Sequence, residues 1–459
     1  MAGEWKETTL GECAAWLSGG TPFKGNEAFW SGTIPWVSAK DMKSFRLHDA
    51  EDHISPLAVG NGGKLVPAGT ILLLVRGMTL HNDVPICMVT REMAFNQDIK
   101  ALRPAKNVDG AFLAYWLLAN KPDLLATVDH AGHGTGRLVT DTLKEKPVQL
   151  PPLAEQKAIA AVLGALDDKI ELNRRMNATL EAMARALFQS WFVDFDAVRA
   201  KLDGRPPAAL DPATAALFPA SFQDSAVGHI PHGWKVGVLD ELTKFVIGGD
   251  WGATEPTDDE TVSCYCIRGA DIPSLQSGGV GKMPTRFLKP SSVEKRQLAD
   301  GDLAIEISGG SPTQCTGRPV LASEALLQNL GQPLVASNFC RIVKLKSPAL
   351  SKFVYLWLRR LYDAGELFQF ETGTTGIKNF AFVIFSERYP LVVPDLRVAE
   401  AFDRAVSPFF ARIQANSQES RTLATLRDTL LPKLLSGELS AAGTVAKSAT
   451  VQTGKETRP

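Results

Sequence analysis

The stretch that decides the fold is Pro151–Phe195, PPLAEQKAIAAVLGALDDKIELNRRMNATLEAMARALFQSWFVDF. It holds one glycine, Gly164, and no proline after Pro152. Residues recur at alternating four- and three-residue steps: Ile159, Leu163, Leu166, Ile170, Asn173, Asn177, Leu180, Ala184, Leu187 and Trp191. A 3.5-residue period sustained in this way marks a long helix of the coiled-coil type. At 1.5 Å per residue, about 43 helical residues span roughly 65 Å. Such a helix cannot bury its own seam, so the chain must supply a partner. A shift of 243 residues finds one, with Phe402, Val406, Phe409, Ile413, Asn416, Ser420, Leu423, Arg427, Leu430 and Leu434 in the same ten positions.

The shift extends beyond the helices. Trp5, Leu10, Gly19 and Gly20 correspond to Trp234, Leu239, Gly248 and Gly249 at an offset of 229. Lys40-Asp41-Met42 corresponds to Ala270-Asp271-Ile272 at 230, and Arg76-Gly77 to Ser308-Gly309 at 232. Phe112 and Trp116 match Phe353 and Trp357 at 241, and Thr135-Gly136 matches Thr375-Gly376 at 240. The drift places insertions in loops, where a duplicated chain tolerates them. The chain therefore reads as a tandem duplication of α+β class: two α/β domains, each followed by a long helix, the helices packing as an antiparallel coiled coil. The expected divisions are a first domain over 1–150, a helix over 151–196 and a connector over 197–231. A second domain then covers 232–393, a second helix 394–440 and a disordered tail 441–459. In the first domain Phe112–Ala119 predicts a helix, and short apolar runs bounded by Gly and Pro predict strands and loops.

Composition narrows the function classes. With 49 basic and 50 acidic residues the net charge is −1, so any contact with a polyanion must rest on a local patch. The six cysteines form no C-x-x-C pair and no zinc spacing with the seven histidines, as suits a reducing compartment. The N-terminus MAGEWKETTL lacks a signal peptide's pattern, and the aliphatic run Ile71–Val75 is too short to cross a membrane. A soluble cytoplasmic protein is expected.

Catalytic motifs are missing. An adenine methyltransferase needs an Asn/Asp-Pro-Pro-aromatic loop, and the Pro-Pro pairs here stand in LPPL and RPPA. No G-x-x-x-x-G-K-[ST] sequence exists, and GHGTGR at 132–137 precedes no helix signal. No Ser-His-Asp or Cys-His set is supported. The acidic pair Asp167-Asp168 lies off the seam and reads as solvated helix surface. The chain is expected to be non-catalytic, with no cofactor and no metal.

The long helix resembles the central region of the specificity subunit of type I restriction–modification enzymes, in its PLAEQ opening and its SWF-x-DF exit. LRDTLLPKLLSGEL at 426–439 is similar to that family's C-terminal region, and the restarts WKETTLGE and IPHGWKVGVLDEL also fit. The resemblance covers roughly residues 4–440. The second helix departs from it by opening VPDLRVAEAFDRA, where the PLAEQ form is degenerate. The resemblance implies two target-recognition domains, each reading one half of a bipartite, asymmetric site in double-stranded DNA. It also implies an antiparallel helical spacer, two docked methyltransferase subunits and two restriction/motor subunits in the full complex. The subunit itself would bind neither S-adenosylmethionine nor ATP. The alternatives are a coiled-coil adaptor without DNA contact and a self-contained methyltransferase or nuclease.

A duplicated reader suits duplex DNA, because two readers about 34–36 Å or a multiple apart meet the same groove face on successive turns. Base contacts should fall to loops. The first domain offers Lys24, Lys40, Arg76, Thr79, His81, Asn82, Thr135 and Arg137. The second offers Arg268, Ser311, Thr313, Gln314, Arg318, Thr374, Thr375 and Lys378. In the seam, Asn173 is expected to pair near Asn416 and fix register, as buried polar seam residues do. Off the seam, Val162, Leu172, Met176, Met183, Phe188 and Phe192 form a wider apolar band, which needs cover either from partner helices or from the chain's own domains.

Overall fold

The computed structural model describes residues 5–129, 134–309, 314–373 and 377–441. Two compact units result: Met1–Lys169 with Thr422–Pro459, and Ile170–Arg421. Four helices matter below: α1 (Gly110–Ala119), α2 (Leu153–Phe192), α3 (Ser351–Asp363) and α4 (Leu396–Leu435). Each unit is a globular part plus one end of each long helix, so α2 and α4 pack against one another inside both.

In the first unit a five-stranded sheet runs in the order Ala14–Ser18, Ile99–Pro104, Ile71–Leu74, Ile86–Val89, Arg46–Leu47. The central strand Ile71–Leu74 is buried on both faces, which explains its unbroken aliphatic run. A four-stranded sheet of Asp52–Ile54, Ile34–Val37, Met93–Phe95 and Leu65–Val66 accompanies it. Helix α1 forms over the predicted stretch with Asp109 as its N-cap, but Phe112 to Leu117 are all buried, so it is enclosed on every side and has no single apolar face. The glutamine of PLAEQ joins two helix starts. Buried Gln156 accepts from Asp109 N at 2.8 Å and donates to Pro151 O at 2.8 Å and Asn107 O at 3.1 Å. It thereby ties the beginning of α2 to the beginning of α1.

The second unit repeats this plan. Its main sheet, Thr243–Gly248, Cys340–Leu345, Leu303–Glu306, Pro319–Leu321, matches the first four strands of its counterpart in order and direction. Helix α3 stands in place of α1. At the start of α4 the Gln156 position is taken by buried Ala399, and Asp395 instead accepts from Arg397 N at 2.8 Å. The degenerate opening thus has a different cap, while the helix still forms. The segment expected as a connector holds two short helices, Asp196–Leu202 and Pro212–Ala216, and a hairpin of Phe222–Ser225 with Gly228–Pro231. Phe218 and Ile230 are buried in the unit's core, so it is packed structure. The expected disordered tail lies outside the described residues from 442 onward.

The long helices run antiparallel. In the first unit Ile159 and Leu163 of α2 share a core with Leu431, Leu434 and Leu435 of α4. In the second, Phe188, Trp191 and Phe192 of α2 join Phe402 and Val406 of α4. The seam is not evenly apolar: Leu166, Ile170, Leu180, Leu187, Phe409, Leu423 and Leu430 are half-buried. Asn173, Asn177, Gln414, Asn416 and Ser417 are buried. Asn173 donates from Nδ2 to the Asn416 carbonyl at 3.2 Å and to Glu419 at 2.8 Å, whereas the Asn416 side chain reaches Asn177.

Two expectations need correction. Asp167 is not solvated helix surface: it is buried, accepting from Tyr115 Oη at 2.6 Å and pairing with Arg427 Nη1 at 2.7 Å. Its neighbour Asp168 pairs with Arg46. The off-seam band divides as well, because Val162 packs on the first unit's core and Phe188 and Phe192 lie inside the second's, while Leu172 and Met183 stay exposed. Among the described residues no helix is long and apolar enough to cross a membrane.

Candidate nucleic-acid interface

In the first unit, strand Ile71–Leu74 leads into a two-residue strand, Arg76–Gly77, which pairs antiparallel with Gly136–Arg137. Gly77 has φ of +155°, and a Cβ at Gly136 would come within 2.8 Å of Leu80, so both positions favour glycine. The register sets Arg76 directly opposite Arg137. Both side chains are exposed and neither guanidinium makes an ion pair among the described residues, while Arg137 is bridged through its backbone to Asp129 on its other side, with hydrogen bonds of 2.8 and 2.9 Å. Thr79, His81 and Asn82 follow in the turn beyond Gly77, and a ring nitrogen of His81 lies 2.7 Å from the Gly134 carbonyl. Thr135, half-buried, precedes Gly136. Folding thus gathers Arg76, Thr79, His81, Asn82, Thr135 and Arg137 from two distant stretches onto one rim.

The other two candidates differ. Lys24 is exposed on a separate turn. Lys40 is held by Glu51 at 2.9 Å and Asp52 at 3.0 Å, which raise its pKa above the ordinary lysine value. Its charge is neutralised within the protein, and its neighbour Asp41 organises the loop. Asp41 accepts from Ser38 N at 2.8 Å and from Glu51 N at 3.0 Å.

Asp271 repeats this in the second unit, accepting from Arg268 N at 3.2 Å and Lys282 N at 2.9 Å. Position 268 carries an arginine where the first unit has Ser38, and Asp271 also engages its guanidinium, at 2.8 Å from Nε. Strand Ser308–Gly309 pairs with Lys378–Phe380, as Arg76–Gly77 does with Gly136–Arg137. The cross-strand residues here are Ser308 with Asn379 and Gly309 with Lys378. Lys378 is bound to Glu371 at 2.9 Å and lies 5.0 Å from the centre of the Phe368 ring. Arg318 forms a two-pronged pair with Glu306, at 2.8 Å from Nε and 2.6 Å from Nη2. Gln314 is exposed. Ser311, Thr313, Thr374 and Thr375 lie outside the described residues.

A pattern of donor-bearing loops does not reveal three acids of this arrangement, Asp41, Asp271 and Glu306. The signal available for Asp41 and Asp271 is that both halves keep an aspartate at the same repeat position. Among the described residues no group of His, Cys, Asp and Glu is placed to hold a metal. The six thiols are buried and free. The rim offers donors and cationic groups for binding.

Residues 2–182 match the family described as type I restriction modification DNA specificity domain. The specificity subunit of the type I restriction enzyme MjaIX from Methanocaldococcus jannaschii is 25% identical over 95% of this chain and 94% of its own length. That of HindI from Haemophilus influenzae is 23% identical over 95% of this chain and 100% of its own. The EcoR124I/EcoR124II specificity subunit from Escherichia coli is 32% identical over 36% of this chain and 41% of its own. In fold the chain is similar to the crystal structure of a type I restriction–modification S subunit from M. genitalium, with a TM-score of 0.51 at 16% identity, covering 94% of this chain and 96% of that one. With the duplicated domains and paired helices described above, these likenesses make the chain similar to type I restriction–modification specificity subunits over nearly its whole length.

Proposed function

We propose that each globular domain reads one half of a bipartite, asymmetric site in double-stranded DNA, and that α2 and α4 set the spacing between the two readers. The observation that carries this is the Arg76–Arg137 pair. Like charges directly opposite on a ladder destabilise it. Keeping both exposed and outside any ion pair among the described residues, with Asp129 facing only Arg137 from the far side, is reasonable where an anion completes the site. A phosphate backbone supplies that anion, and the adjoining Thr79, His81, Asn82 and Thr135 supply side chains for base edges.

The same reading assigns the helices a scaffolding role. Leu172 and Met183 are 51% and 45% exposed on α2, and their spacing puts them within about 20° of one helical face. Exposed apolar residues in line suit a docking helix of a methyltransferase subunit, two of which would join this chain, with two restriction/motor subunits completing the complex. The assembly would work in the cytoplasm, where the chromosome is.

The test is a titration of cognate and scrambled duplexes with the chain co-purified with its methyltransferase subunits, at two salt concentrations. Arg76→Ala and Arg137→Ala should each weaken cognate binding by about 1–3 kcal/mol if they touch a base, or lower the salt slope by about 1 if they touch phosphate. Wild-type affinity, discrimination and salt slope in both variants would sink the assignment.

A further inference from the structure

The buried ion pair Glu306–Arg318 has no counterpart in the first unit. The backbone around it does: Glu306 N donates to Arg318 O at 3.0 Å, as Leu74 N donates to Pro85 O at 3.1 Å. The fold therefore builds this place from a leucine and a proline in one copy and from two charges in the other. Burying an ion pair is often no better for stability than apolar residues of the same size. Stability alone gives no reason for the exchange.

The geometry supplies one. Glu306 is 1% exposed and Arg318 13%, so the guanidinium is recessed and its orientation is set by the carboxylate behind it. The carboxylate occupies Nε and Nη2, and Nη1 has no partner among the described residues. A guanidinium carries five N–H groups, so Nη1 and the second N–H of Nη2 remain as one planar two-donor edge. The space around it is kept open by glycine: a Cβ at Gly269 would lie 2.4 Å from Glu306 Oε1 and 3.5 Å from Arg318 Nη2. Gly309, on the strand that matches Arg76–Gly77, is likewise pressed against Glu306, at 2.9 Å from its own ideal Cβ.

Resting on the DNA-reading role proposed above, we infer that Arg318, positioned by Glu306, reads a guanine in the half-site of the second domain. A neutralised pair has no net charge to draw a phosphate, but it keeps its directional donors. Two parallel donors fit the O6 and N7 acceptors of guanine in the major groove, a pattern no other base offers. The first unit's Arg76 and Arg137, which make no ion pair among the described residues, suit phosphate instead. Glu306 is a positioning residue: it acts through Arg318.

The experiment is selection from a randomised duplex library, followed by sequencing, with the chain co-purified with its methyltransferase subunits. Wild type should select a bipartite motif with a G·C pair in the half read by the second domain. The double substitution Glu306→Leu/Arg318→Leu leaves no lone buried charge and imitates the first unit, so it should fold. It should relax that one pair by about 5- to 140-fold and leave the other positions unchanged. Arg318→Lys, which keeps the charge and loses the planar edge, should relax the same pair. An unchanged motif in both variants overturns the inference. So does a uniform weakening of the whole half-site together with a lower Tm, or a wild-type motif without a G·C pair. Selection of no sequence at all by wild type would instead refute the DNA-reading role itself.

Discussion

The Asn416 side chain donates from Nδ2 to Oδ1 of Asn177 at 2.9 Å, so the carboxamide contact in the middle of the helix pair joins residues that are not equivalent in the duplication. Asn177 in turn donates to Ser417 at 3.0 Å and to the Ile413 carbonyl at 3.3 Å. A one-turn slip would cost all of these bonds, so polar groups at this depth specify register where an apolar seam would tolerate alternatives. Asn416→Leu should cost about 1–3 kcal/mol by leaving the Asn177 acceptor buried and unpaired. Asn177→Leu/Asn416→Leu should cost less than the sum of the two singles, with a coupling energy above about 0.5 kcal/mol. Denaturant titration of the four proteins gives the cycle, and strict additivity would count against a register-setting contact.

Asp167 links three elements of the first unit, taking the Tyr115 hydroxyl of α1 on one oxygen and Arg427 of α4 on the other. Asp167→Leu should destabilise by about 3 kcal/mol, at the low end for a broken buried pair, because Arg427 keeps a quarter of its side chain in water. Tyr115→Phe should cost about 1 kcal/mol. Replacing both charges, Asp167→Leu with Arg427→Leu, should recover most of the loss. A double variant no more stable than Asp167→Leu in thermal denaturation would show that the pair is not the cause.

These two sites mark what is legible in the sequence. The heptad seams, the duplication and helix α1 follow from periodicity and spacing, which a single chain displays directly. The burial of Asp167 depends on Tyr115, 52 residues earlier, and on Arg427, 260 residues later. The available hint is a charged residue, Arg427, at the seam position where α2 carries Ala184. On the rim, Arg76 and Arg137 are legible as candidates one at a time, but their opposition is a fact of strand register. Arg318 is visible as a donor; that Glu306 holds it emerges only when the position is compared with Leu74 in the other half.

Stability should also report on the thiols. Burial pushes Cys13, Cys264 and Cys315 up to about 11 and Cys87, Cys266 and Cys340 up to about 12, against about 8.5 for a free thiol. The folded chain holds these protons to a higher pH than the unfolded chain does. Their contribution is therefore complete below about pH 8.5 and is lost as pH rises toward the folded values. Each thiol should remove up to about 1.4 kcal/mol per pH unit in that window. Cys87→Ala should flatten the slope of unfolding free energy between about pH 9 and 10.5 by roughly that amount. Parallel curves for variant and wild type would refute the linkage.

The Arg76–Arg137 opposition predicts a trade between binding and stability. Two like charges face each other across a two-residue ladder, and repulsion at such a pair costs roughly 0.2–1 kcal/mol. Removing one arginine relieves it, so Arg76→Ala should leave the free protein as stable as wild type or slightly more stable. Its DNA complex should be weaker, and the gap in Tm between free and DNA-bound protein should narrow. Arg76→Glu should go further, forming an ion pair with Arg137 that stabilises the free protein while setting a carboxylate against the phosphate backbone. Thermal melts of free and DNA-bound protein, run at low and high salt, separate the two effects. A loss of free-protein stability in Arg76→Ala would mean that the guanidinium is part of the fold and not a group kept for an anion.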